Sequence, residues 1–243
     1  MCAIAGWLDP GGRLPDSALD GMAEVMSHRG PDDRGFHRGP AKGLALAHNR
    51  LSIIDLTAAG HQPMLSEDGR VALVFNGEIY NFWELRDQLI AAGHRFRSRT
   101  DSEVVLHGYL EWGLELLGRL RGMFAFAIWD EGEDRLLLAR DPMGIKPLYY
   151  WISDSGGLYF ASEVKAFLSL PGFSATLNPK TLRQYLEFNF VCDPEESSLL
   201  GVRKLPAAHS LSFRAGDASS RRQPAPCRYF VPPEVEPTTD WRP

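Results

Sequence analysis

Cysteine is scarce in this chain: Cys2, Cys192 and Cys227 are the three thiols in 243 residues. Three scattered cysteines make no disulfide framework, and neither a C-x-x-C nor an H-E-x-x-H spacing offers a zinc site. No metal is therefore expected, and free thiols point to a reducing, cytoplasmic setting. Long hydrophobic runs are also missing. None approaches the ~20 residues that span a bilayer, so no membrane partner is expected. No basic region precedes the first apolar stretch, and Asp9-Pro10-Gly11-Gly12 ends that stretch early, which argues against a signal peptide. Position 2 is cysteine where myristoylation needs glycine. Positive charge is in deficit, with 26 Lys and Arg against 31 Asp and Glu and a net charge of −5. With no basic block, nucleic acid is not expected as a partner. Internal repeats and low-complexity blocks are absent.

What remains is an ordinary globular composition, 44% apolar and 23% charged. The length suffices for one large domain or two small ones with a sizeable core. Residues 3–8 read as a short apolar strand. Leu19, Met22, Ala23 and Met26 recur at helical spacing and predict a helix over 16–26. The polar, glycine-rich run from His28 to Gly35 reads as a loop. A strand is expected over 43–48, a second extended piece over 50–55 and an apolar strand over 71–75. Asn76-Gly77-Glu78 follows, and Asn-Gly after an apolar run is a strong hairpin signal. Asn81, with Glu84 three residues on, caps a helix ending near Gly93. Thr100-Asp101-Ser102-Glu103 is a capping box opening a helix over 101–111. Strands are expected over 123–129 and 135–139, a hairpin over 151–161, and short helices over 163–169 and 178–188. Many strands joined by hairpins, with few βαβ alternations, predict an α+β domain with antiparallel sheets. Seven of the 17 prolines lie in residues 206–243, so that segment is expected to be an extended linker outside the core.

Cys2 stands apart from its bland reading as a small apolar residue. It follows the initiator methionine, and its small size favours removal of Met1. Removal would leave a thiol and a free α-amine on one residue. The thiolate is a nucleophile, and an amine of pKa about 7.7–8 can take its proton.

Several strings, in this order, resemble one family. They are Cys2-Ala3-Ile4-Ala5-Gly6, His28-Arg29-Gly30-Pro31-Asp32, Arg50-Leu51-Ser52-Ile53-Ile54-Asp55, Phe75-Asn76-Gly77-Glu78-Ile79-Tyr80-Asn81, Asp101-Ser102-Glu103 and Arg140-Asp141-Pro142-Met143-Gly144-Ile145-Lys146-Pro147. Ala161-Ser162-Glu163-Val164-Lys165-Ala166 and Gly201-Val202-Arg203-Lys204-Leu205-Pro206 extend the likeness. The chain resembles the class II glutamine amidotransferases, above all the glutaminase domain of glutamine-hydrolysing asparagine synthetase. The resemblance implies the four-layer αββα sandwich of N-terminal nucleophile hydrolases, with a glutaminase domain over 2–205. It implies that Cys2 attacks L-glutamine, that the Asn76 side chain and the Gly77 N–H receive the oxyanion, and that Arg50 pairs with the substrate carboxylate. Asp101 and Glu78 would hold the α-ammonium, and Leu51, Ser52, Ile53 and Ile54 would complete the glutamine pocket. Asn76-Gly77-Glu78 is then a substrate loop rather than a hairpin turn, and Arg29, Asp32 and Arg140 order the pocket walls.

The family's ATP loop, Ser-Gly-Gly-x-Asp-Ser, is not matched. Ser155-Gly156-Gly157-Leu158 is followed by Tyr159-Phe160 and reads as a hairpin turn. Ala207-Ala208-His209 stands where the family usually has Pro-Gly-His. No cofactor is expected here; ATP and Mg belong to a synthetase domain or subunit that this sequence lacks. That partner would turn aspartate into asparagine. An alternative is another acceptor, and a chain retaining Met1 would be a non-catalytic glutamine-sensing module. A homodimer is left open.

Overall fold

The structure is a computed structural model and describes residues 1–12, 14–39, 43–220 and 224–234. The first half forms β1 (Ala3–Leu8), α1 (Asp16–Glu24), β2 (Asp33–Gly39), β3 (Leu44–Arg50), β4 (Met64–Leu65), β5 (Val71–Ile79), α2 (Phe82–Ala91) and α3 (Asp101–Trp112). The second half forms α4 (Leu116–Arg119), β6 (Gly122–Asp130), β7 (Arg135–Arg140), β8 (Tyr149–Ile152), β9 (Leu158–Ala161), α5 (Pro179–Phe188), β10 (Arg203–Lys204), β11 (His209–Arg214), α6 (Ala215–Ser220) and β12 (Cys227–Arg228). The strands make two six-stranded sheets, ordered β10-β8-β9-β1-β3-β2 and β12-β11-β7-β6-β5-β4. Every pairing is antiparallel.

The period of two along each strand sorts side chains into layers. Ile4 and Leu8 of β1, Leu44 and Leu46 of β3, Val74 of β5 and Ala125 and Ala127 of β6 meet between the sheets. Ala3, Ala5 and Trp7 point the other way, onto Leu19 and Met22 of α1 and onto Phe167. Leu73 and Phe75 of β5 face Leu85 and Leu89 of α2 and Val104 and Val105 of α3. The layers therefore run helix, sheet, sheet, helix. β1 is buried on both faces, which is why it reads as a continuous apolar run.

Several expectations are corrected. Asn76-Gly77-Glu78 is neither turn nor loop but part of β5, whose ladder with β6 runs on to Ile79. The run from His28 to Gly35 is a short 3-10 turn, Ser27–Arg29, followed by β2, paired to β3 from Asp33 onward. Residues 51–54 form no strand: the β2–β3 ladder stops at Arg50, and the chain bends at Ile53 and Ile54. The chain does not leave the core near residue 206. β11 pairs with β7, and its Leu211 and Phe213 are fully buried between the sheets. Each such side chain contributes roughly 1.5–3 kcal/mol by burial, which the prolines around it do not oppose. Part of that tail, 221–223 and 235–243, lies outside the described residues.

Asn81 stands at the start of α2 without capping it. Its amide instead donates to the Arg119 carbonyl and accepts from the Arg121 N–H, each at 3.0 Å. The turn at Ser155-Gly156-Gly157 joins β8 to β9 as a hairpin, with Gly156 at a φ of 88. Among the described residues no helix is long and apolar enough to cross a membrane.

Candidate functional site

The layer between the sheets is apolar along most of its length and turns polar at one end. In register with Ile4, Leu46, Val74 and Ala125 stand Cys2, His48, Arg50, Asn76, Glu78 and Met123. Around them lies a cavity of about 180 Å³ lined by Met1, Cys2, Arg50, Asn76, Gly77 and Asp101, among others. This is below the roughly 300–1,000 Å³ of pockets for drug-sized ligands, so it suits a ligand the size of an amino acid.

The loop after β3 holds the Cys2 thiol. The Leu51 N–H donates to Sγ at 3.4 Å, and Sγ lies 3.7 Å from the Leu51 carbonyl. Burial pushes the thiol pKa up, while the Leu51 N–H and the charges of the N-terminus and Arg50 pull it back. The Cys2 carbonyl accepts from Arg29 Nε at 3.1 Å, and Arg29 is fixed by Glu163 at 3.0 Å.

β5 supplies the opposite wall through a free edge. β4 pairs with it only at Ala72 and Leu73, and among the described residues no strand covers its outer edge beyond that point. Side chains take over. The Phe75 N–H donates to Gln62 Oε1 at 2.7 Å, the Phe75 carbonyl lies 3.0 Å from His48 Nε2, and the Ile79 N–H donates to Asp101 Oδ2 at 2.9 Å. Ladder alternation places the Gly77 N–H on this same edge, between those two capped residues. It has no partner among the described residues. Asn76 Nδ2 is likewise buried with no partner. A Cβ on Gly77 would meet the Met123 carbonyl at 2.5 Å and Phe124 Cα at 2.8 Å, so the position requires glycine.

The charged groups sit to either side. Arg50 donates through Nη1 to the Thr57 carbonyl at 2.9 Å and through Nη2 to the Asp55 carbonyl. Two of its five N–H groups are thus spent on the loop, and three remain for an anion. Asp101 opens α3 and is 5% exposed. Burial, with the Glu78 charge adding to it, pushes its pKa up to about 6 against the pull of the Ile79 and Ser102 N–H groups. A cation between the two carboxylates would relieve that strain. Thr100 caps α3 by accepting from the Glu103 N–H at 3.2 Å. Glu103 accepts from the Arg97 and Ser98 N–H groups, both at 2.7 Å, so the box is wider than its four residues suggest.

The structure brings Cys2, Arg50, Leu51, Ile53, Ile54, Asn76, Gly77, Glu78 and Asp101 together around one cavity. Ser52 is not in its lining; its N–H donates to Asp32 Oδ2 at 2.7 Å, which anchors the loop from outside. Arg140 holds the carbonyls of Gly144, Lys146 and Leu205. Gln62, Thr100, Met123 and Lys146 also line the cavity and were missed. They enter from separate loops and strands, with no local pattern that marks them. Among the described residues no group of three or more His, Cys, Asp or Glu is arranged to hold a metal ion.

A family profile described as "Glutamine amidotransferase domain" matches residues 1–223. A Mycobacterium tuberculosis (strain ATCC 25618 / H37Rv) protein provisionally named asparagine synthetase (glutamine-hydrolyzing) is 42% identical over 243 residues, 96% of this chain and 36% of its own length. Asparagine synthetase (glutamine-hydrolyzing) 1 of Bacillus subtilis is 44% identical over 195 residues, 79% of this chain and 30% of its own. The chain thus spans about a third of the length of these relatives. Among solved structures, glutamine phosphoribosylpyrophosphate amidotransferase from B. subtilis superposes with a TM-score of 0.65 at 18% identity, over 96% of this chain and 50% of that one. That likeness supports the double-sheet fold.

Proposed function

The chain belongs to the glutamine amidotransferase domain family, and on that premise we propose that it hydrolyses L-glutamine to glutamate and ammonia through a thioester on Cys2. With Met1 removed, the α-amine of Cys2 takes the thiol proton as Sγ attacks the side-chain carboxamide carbon. The carbonyl oxygen becomes an oxyanion and accepts from Asn76 Nδ2 and the Gly77 N–H. The amine then passes its proton to the departing ammonia, and water hydrolyses the thioester to glutamate. Arg50 pairs with the α-carboxylate, where a planar fork suits two parallel bonds. Asp101 and Glu78 hold the α-ammonium, and Leu51, Ile53 and Ile54 complete the wall.

The observation that carries this reading is a pair of unspent donors on residues that line the same cavity as Cys2: a buried amide nitrogen with no partner and a backbone N–H on an uncovered strand edge. Preorganised donors of this kind are worth about 10²–10³ in rate each. A chain that keeps Met1 has an amide nitrogen where the base should be, and we read it as a glutamine-binding form without turnover. Ammonia release by the Met1-free protein, compared with Cys2→Ala, tests the proposal; equal rates for the two would refute it.

The names of the relatives support a destination for the ammonia. We place it at a synthetase domain outside this sequence that uses ATP and Mg²⁺ to activate a carboxylate acceptor, with aspartate the leading candidate. The site described here needs no cofactor. We propose a reducing, cytoplasmic setting, which three scattered thiols without a disulfide framework support.

A further inference from the structure

The free edge of β5 raises a question that the proposed chemistry leaves open: what fixes the outward side of the strand at the two oxyanion donors, where β6 pairs with the inner side alone? A strand edge without a neighbour leaves its outward N–H and C=O groups unpaired. Here Phe75, the residue before Asn76, is gripped through both of its outward backbone groups. The Phe75 N–H is held by Gln62 Oε1 and the Phe75 carbonyl by His48 Nε2. His48 belongs to the other sheet, on β3, and is 1% exposed. Gln62 is 5% exposed and lines the cavity. The next capped peptide is Ile79, held by Asp101. On the outward edge Gly77 lies between these two fixed points, with its other side against β6.

We infer that His48 and Gln62 are positioning residues for the hydrolysis: they replace the missing strand at Phe75 and so aim the Asn76 amide and the Gly77 N–H at the reacting carbonyl. The inference rests on the glutaminase reading above. Only a neutral imidazole with the proton on Nε2 does this without a buried charge. Burial lowers the His48 pKa to about 4, so it is neutral at working pH. The tautomer is fixed by its only acceptor, the Phe75 carbonyl, and Nδ1 is left buried without a partner. That empty acceptor costs stability, typically about 1–3 kcal/mol. A residue kept for packing alone would carry no such orphan. His48 touches neither thiol nor substrate in this account; it acts through Phe75. Misplacing a catalytic group by an ångström can cost about 10²-fold.

The test uses the Met1-free protein. His48→Leu should lower kcat about 10–100-fold with the glutamine KM within two-fold, because Arg50 and Asp101 are untouched. His48→Gln keeps a donor for the Phe75 carbonyl and should recover most of that loss. Gln62→Met removes the other half of the grip without removing volume, and serves if His48→Leu does not fold. Wild-type kcat in both His48→Leu and Gln62→Met, or a KM change matching the kcat change, would overturn the inference. If the wild-type chain itself releases no ammonia, the reading of the site fails instead. The grip is then decided by the Gly77 amide resonance in NMR. A shift in His48→Leu or Gln62→Met that His48→Gln lacks upholds it, and identical resonances in all four proteins overturn it.

Discussion

The Leu51 N–H donates to the Cys2 sulfur at 3.4 Å. The bond ties the second residue of the chain to the loop that follows β3, 49 positions away. It favours the thiolate, where burial alone works against it. Arg29 fixes the same residue from the other side through its carbonyl. The Arg29 contact, made to the Cys2 carbonyl, survives substitution of the Cys2 side chain, while the Leu51 bond to sulfur does not. Cys2→Ala should abolish ammonia release while glutamine still binds within a few-fold of wild type by calorimetry.

Asn76 carries a buried Nδ2 with no partner among the described residues. An unpaired buried polar group costs stability, and here the cost is offset only when an oxyanion is present. Asn76→Ala should lose about 10²–10³ in kcat. Thermal unfolding should show the variant no less stable than wild type, within about 1 kcal/mol. A large drop in both would mean the side chain is mainly structural.

Asp101 titrates near 6 in the folded protein because burial opposes its charge. Its folded pKa lies above the unfolded value, so ionisation costs stability as pH rises from about 4 to 6, and that cost persists at neutral pH. Asp101→Asn should therefore raise stability at pH 7 by about 1–3 kcal/mol while raising the glutamine KM at least ten-fold. In the wild type the KM should climb as pH falls below about 6, where the carboxylate gains a proton and can no longer pair with an ammonium. A KM flat from pH 8 to 5 would argue against the assignment.

Glu103 has the opposite linkage. Burial pushes its pKa up, but hydrogen bonds from His107, Ser98 and the Arg97 N–H outweigh it and hold the value down to about 2. Its contribution is full above about 4.5 and disappears as pH falls towards 2. Glu103→Gln should lower stability by about 1–2 kcal/mol at pH 7, with the gap to wild type closing at acid pH. Denaturant titrations at two pH values check this.

Much of this was legible in the residues. The strand over 3–8 is β1, the helix over 101–111 is α3 less one residue, and the helix over 178–188 is α5 with its first residue as the cap. Local signals sufficed because period and cap lie within one element. Asn76-Gly77 misled because its turn preference is local, while nine paired residues against β6 hold it straight. β11 was hidden among prolines, and only its partner β7 makes it a core strand. At the site, the motif residues were legible as strings. His48 and Gln62 were not, because their roles arise from a strand that stops short in three dimensions.

The most direct measurement is ammonia release from two matched preparations, one with Cys2 as the first residue and one retaining Met1, each verified by intact mass. The account predicts steady glutamine hydrolysis from the first and none from the second, with both binding glutamine. Equal turnover by the two, or a folded, glutamine-binding Met1-free chain that releases no ammonia, would contradict it.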